Sequence, residues 1–174
     1  MRRRDLLAAA GAALASGCGY ALQGRGITTD ASVKRIGVPL FKDNSGKPGL
    51  DARVTEAVMQ ELLKRGRFTV VREVSNVDAV IEGEIQSCAV LPVGFSGDPG
   101  ATQASRYSIS LTASVVYRKI GQKEPIWSND AFSQRDEYDV GENASTYFDR
   151  EGQSIERLAA SFARSLVAAM LEAF

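Results

Sequence analysis

The chain has 174 residues, with 21 Lys+Arg against 21 Asp+Glu, no histidine and two cysteines. That length can close one hydrophobic core, and the balanced charge lacks the basic excess of a nucleic-acid binder. Without histidine there is no Ser–His or Cys–His nucleophile and no His-containing metal site, and two cysteines cannot make a four-sulfur zinc site.

The first residues read as an export signal. Arg2, Arg3 and Arg4 precede an apolar run from Leu6 to Gly17 that only Ser16 interrupts. Such a run is too short for a bilayer, which needs about 20 residues. Arg3-Arg4-Asp5-Leu6-Leu7 is similar to a twin-arginine signal, without the usual Ser or Thr before it. Ala15-Ser16-Gly17-Cys18 resembles the bacterial lipobox, with Ala15 where Leu is usual. The expectation is a signal peptide over residues 1–17, a lipid on Cys18, a tether over 18–32 and one domain over 33–174. Residues 18–174 carry 18 basic and 20 acidic side chains, so the neutral balance owes part of its positive charge to the signal.

From Val33 the periodicities sharpen. Ile36, Val38 and Leu40 alternate as a strand ending near Pro39, and Asp43 to Gly49 is dense in turn formers. Leu50, Val54, Ala57, Val58 and Leu62 recur at helical spacing, and Gly66 supplies a stop. A short strand is expected over 68–71. A longer one over 79–91 has its odd-numbered residues inward, with Cys88 as a packing residue near its end. Residues 92–104 read as a loop. Tyr107 to Tyr117 gives the clearest alternation, and a fifth strand follows over 126–138. From Ile155 to Phe174 one apolar stripe marks a closing helix, with Asp149 as its N-cap. The order β-α-β-β-β-β-α predicts an α+β fold, with two helices on one face of a mostly antiparallel sheet of four to five strands.

No catalytic constellation emerges. Glu82 and Glu84 share a strand face, but a solvated sheet face explains them better than glycosidase chemistry. Asp136, Glu137 and Asp139 lack the spacing of a calcium loop. Connectivity does give a positive feature. Because the fourth and fifth strands run antiparallel, residues 92–104 and 139–148 share one end of the sheet. Arg106, Arg135 and Arg150 gather there beside Tyr107 and Tyr147, a set suited to phosphates and acyl chains. The competing reading is a set of solvated arginines paired with Asp136, Glu137, Asp149 and Glu151.

Ordered motifs then point to a family. Cys18-Gly19-Tyr20-Ala21-Leu22-Gln23-Gly24 is similar to the mature start of LptE proteins. Arg35-Ile36-Gly37-Val38-Pro39 with Asn44, Leu62-Leu63-Lys64-Arg65-Gly66-Arg67-Phe68, and Asp78-Ala79-Val80-Ile81-Glu82-Gly83-Glu84-Ile85 also match. Ser105-Arg106-Tyr107-Ser108-Ile109 and the closing helix complete the resemblance. It implies an α/β roll and a non-enzymatic outer-membrane lipoprotein without cofactor or metal. Such a protein plugs the LptD β-barrel and assists lipopolysaccharide insertion, with lipopolysaccharide bound near Arg106 and Arg150. The alternative is a periplasm-facing lipoprotein that activates peptidoglycan synthases.

Overall fold

The computed structural model describes residues 32–95, 104–140 and 145–172. The expected signal peptide, lipobox and nearly all of the tether therefore lie outside the described residues. In chain order the elements are β1 (Arg35–Gly37), β2 (Lys42–Asp43), α1 (Leu50–Lys64), β3 (Thr69–Val71), β4 (Ala79–Phe95), β5 (Ala104–Lys119), β6 (Trp127–Asp139) and α2 (Ser145–Glu172). The strands form one sheet in the order β3-β1-β4-β5-β6, and β2 pairs with β4. β4, β5 and β6 are antiparallel, whereas β1 runs parallel to both β3 and β4. The expected α+β fold is present, with six strands and a short parallel margin.

That margin is parallel because α1 carries the chain back between β1 and β3, and it is interrupted because Pro39 has no N–H to give a ladder. The strand expected over 36–40 stops at Gly37 and resumes as β2, which lies against Glu84 and Ile85 of β4. In the gap, buried Phe41 donates its backbone N–H to Thr55 Oγ1 of α1 at 3.0 Å. Thr55 in turn donates to the Asp51 carbonyl at 2.7 Å. The Phe41 ring occupies the space over Gly83, where an added Cβ would come within 2.2 Å of it. Asp78 fixes the start of β1 by accepting the N–H groups of Lys34 and Arg35, each at 2.8 Å. These bonds hold its carboxyl below the usual range. α1 ends as its sequence requires: Gly66 takes the left-handed conformation at φ 68° and donates to the Leu63 carbonyl.

Two bulges decide which side chains face the core. In β4 the expected odd-inward alternation holds as far as Ile85. Ile85 then pairs with Ala113 and Ser87 with Thr112, so Gln86 is an extra residue. Beyond it the faces exchange. Cys88 is buried and Val90 half-buried, while Ala89 and Leu91, expected inward, point out. β4 also continues through Pro92 to Phe95, correcting the loop expected from residue 92.

In β6, Ala113 pairs with Phe132 but Val115 pairs with Asn129. A regular strand would send Trp127 and Phe132 to opposite faces, since they are five residues apart. The bulge turns both inward. Their rings meet edge to face at 6.2 Å, and Phe132 meets Phe162 of α2 at 5.3 Å. Gln86 Nε2 donates to the Asp130 carbonyl at 2.9 Å, tying one bulge to the other across β5.

α2 begins at Ser145, so Asp149 lies within the helix and does not cap it. Leu158, Phe162, Leu166, Val167 and Met170 form its buried stripe against the sheet. Each fully buried large side chain contributes about 1.5–3 kcal/mol.

Replacing Gly83→Ala forces the Phe41 ring out of its seat and lowers stability by about 1–3 kcal/mol in urea unfolding. Deleting Gln86 removes the extra residue and leaves Ile85, Cys88 and Val90 in regular inward alternation opposite β5. The Cys88 thiol therefore stays as slow to label with maleimide as in the wild type, whereas inserting one residue after Ser87 turns it outward and makes it label as fast as a surface cysteine.

Candidate functional site: an arginine cluster at the hairpin end

The β5–β6 register places Arg106 opposite Asp139, so the two segments meet at one end of the sheet as their connectivity requires. Arg106 Nε donates to Asp139 Oδ1 at 2.7 Å, and Arg150 Nη1 donates to the Asp139 carbonyl at 3.2 Å. Two of the three candidate arginines thus converge on one residue. Arg106 holds the Asp139 carboxyl below its ordinary range, chiefly by that hydrogen bond and also by its charge. The same bond raises the Arg106 guanidinium, so the pair stays ionised at neutral pH.

Arg135 stands four residues further along the strands, opposite Ser110, and its Nε donates to Ser108 Oγ. It shares the outer sheet face with Arg106 but is held separately. Tyr107 stacks on Tyr138 at 5.8 Å on the helix side beneath the cluster. The side chain of Tyr147 falls outside the described residues. Of the four carboxylates weighed as alternative partners, Asp136 accepts from Ser154 and Arg157 and Glu151 pairs with Lys47. Glu137 lies near enough to Arg106 for its charge to act on it, and the Asp149 side chain falls outside the described residues.

Sequence reasoning missed Arg157 and the role of Asp139. Asp136 pairs with Ile109, which puts this carboxylate on the core-facing side of β6. It reaches α2, where Ser154 Oγ donates at 2.8 Å and Arg157 Nη2 at 2.9 Å. A charge at an inward position was the available signal, because such a group needs partners on the element that covers it. Glu137, Tyr138, Asp139, Arg150, Gln153 and Arg157 line a polar cleft of about 240 Å³ between β6 and α2. Beside this end Leu91, which the β4 bulge turns outward, is 61% exposed, and Val93 and Phe95, at the register shifts that end the strand, are 42% and 59% exposed. Guanidinium donors and an exposed apolar strip therefore occupy the same end of the hairpin.

The other candidates separate. Glu82 pairs with Arg118 at 3.0 Å and Glu84 accepts from Asn44 at 2.7 Å, so each strand-face carboxylate has its own partner. Cys88 lies in the core, where burial pushes its thiol up and away from nucleophilic character. Among the described residues there is no group of three potential metal ligands. No described helix is long and apolar enough to cross a membrane.

Known proteins were compared with this geometry. Two solved structures share the fold: a hypothetical protein from Chlamydia trachomatis and a minor lipoprotein from Acinetobacter baumannii. The first is 11% identical with a TM-score of 0.53, covering 82% of this chain and all of its own. The second is 11% identical with a TM-score of 0.50, covering 81% and 92%. A sequence search of curated proteins finds no match. The LptE family model, described as lipopolysaccharide-assembly, matches residues 33–170, a span that includes both helices' buried faces, the bulged hairpin and all three candidate arginines. The chain belongs to the LptE family of lipopolysaccharide-assembly lipoproteins.

Proposed function

We propose that the protein is anchored at the outer membrane through lipid on Cys18, docks as a plug and assembly factor in an LptD-like β-barrel, and assists lipopolysaccharide insertion. It acts by binding and carries out no covalent chemistry. Arg106 and Arg150, with Arg135 close by, present guanidinium donors to the phosphates of lipid A. The observation that carries this reading is the convergence of Arg106 and Arg150 on Asp139 beside exposed Leu91, Val93 and Phe95. Guanidinium groups bind phosphate oxygens through paired N–H donors, and apolar surface nearby suits acyl chains. The described carboxylates around these arginines keep local charge moderate, so recognition rests on donor geometry and not on a broad positive field.

The lipid anchor follows from chain chemistry. Each buried CH₂ contributes about 0.8 kcal/mol, so more than one acyl chain on Cys18 makes attachment stable.

Replacing both Arg106→Ala and Arg150→Ala lowers lipopolysaccharide affinity of the purified protein by at least about tenfold, since each charged hydrogen bond contributes about 1.5–3 kcal/mol. Equal binding by the double variant and wild type removes the phosphate role. Asp139→Asn frees the Arg106 guanidinium and strengthens binding several-fold in the same titration. Depleting the protein in cells lowers both mature barrel and surface lipopolysaccharide; normal levels of both contradict the assembly role.

A further inference from the structure

We infer that the open edge of β4 between Ile85 and Pro92 receives an extended, uncharged segment of the barrel partner as an added β-strand; this rests on the docking reading above.

Along a strand, the side-chain face and the hydrogen-bonding side alternate together. Core-facing Ile85 directs its carbonyl away from β5, where it accepts the Asn44 N–H at 2.9 Å. After the Gln86 bulge the core-facing residues are Cys88 and Val90, followed in alternation by Pro92. Their backbone groups therefore point to the same outer edge. β1 and β2 cover that edge only at Ala79–Val80 and Glu84–Ile85, and no described residue pairs with it further along. The N–H and C=O of Cys88 and Val90, and the carbonyl of Pro92, are left on an open edge. Pro92 fits there because a ladder to β5 does not need its missing N–H.

The dimensions and chemistry of this slot select its occupant. Asn44 bounds it below and the register shifts at Pro92–Phe95 bound it above, leaving room for about five extended residues, or roughly 17 Å. From Ser87 to Phe95 the strand carries no charged side chain. Natural edges are usually protected by charge along the strand. Among the described residues charge stands here at the lower end, where Asp43 and the Lys47–Glu151 pair act on Cys88, and this stretch of strand itself offers none. A second copy fits poorly. Antiparallel self-pairing about Ala89 would set residue 93 of one copy against Ile85 of the other, where Asn44 already sits. A partner's free extended segment meets no such obstacle. Main-chain bonds would give it affinity, and Leu91 and Val93 would flank its alternate side chains.

The test is hydrogen exchange on the wild-type chain, alone and in purified complex with the barrel. Alone, the Cys88 and Val90 amides exchange close to the unprotected rate. In the complex they slow by about 100-fold or more, while neighbouring Ala89, paired with Ser110 of β5, is slow in both states. Val90→Pro removes one outward N–H and lowers barrel co-purification by about fivefold or more. If the barrel co-purifies while both amides stay unprotected, this inference fails and the docking reading stands. If no barrel co-purifies with the wild type, the docking reading itself fails. Protection that grows with concentration of the chain alone assigns the edge to a second copy and overturns the inference.

Discussion

Two irregularities at one level of the sheet decide which side chains face the core, and one hydrogen bond ties them together. Gln86 is the extra residue of β4, and its side chain reaches over β5 to the carbonyl of Asp130 in the β6 bulge. Each bulge alone would reverse the inward and outward sets along its strand. β5 between them keeps Ile109, Leu111, Ala113, Val115 and Tyr117 inward without a break, so the core remains continuous. On one side of that level Ile81 and Ile85 pack inward with Phe41. On the other, Cys88 takes their place and Leu91 turns to solvent. The arginine end and its apolar neighbours lie wholly beyond this level.

Charge follows a similar local logic. The chain as a whole is neutral, and residues 18–174 are slightly acidic. Attraction for an anionic lipid therefore cannot come from net charge. Arg106 and Arg150 meet because an antiparallel register brings residue 106 to residue 139, and because α2 starts soon after β6 ends. Asp139 keeps them from repelling each other when no ligand is present. In the binding role proposed for this end, a phosphate would have to compete with that carboxylate, which favours a ligand offering more than one anionic group.

How much of this could be read from sequence differed by element. Both helices and the central hairpin were legible because their apolar residues recur over ten or more positions, and α1 ended at Gly66 as expected. β2, at two residues, is too short to carry a period. The bulge at Gln86 was hidden for a different reason. Ala89 and Leu91 continue the apolar alternation that Ile81 and Ile85 begin, so the pattern runs smoothly through a point where the backbone does not. For β6 the evidence was present in the odd spacing of Trp127 and Phe132. In the site, chain connectivity was enough to gather Arg106, Arg135 and Arg150 at one end. Asp139 as their meeting point depended on register, which no single strand contains.

α2 spans about 42 Å, and among its described side chains the fully buried apolar ones begin at Leu158, with Ile155 half-buried against the core just before it. Before that, described side chains tie it down through polar contacts: Arg150 to Asp139, Glu151 to Lys47 and Ser154 to Asp136. Gly152 lies among these turns, with open space where its side chain would be. Among its described side chains the helix thus has a stretch locked by the core and a leading stretch held chiefly by polar contacts. Arg150 is carried on the second. Arg150 thus sits ahead of the helix's described apolar packing, so polar contacts that weaken with rising salt set its position.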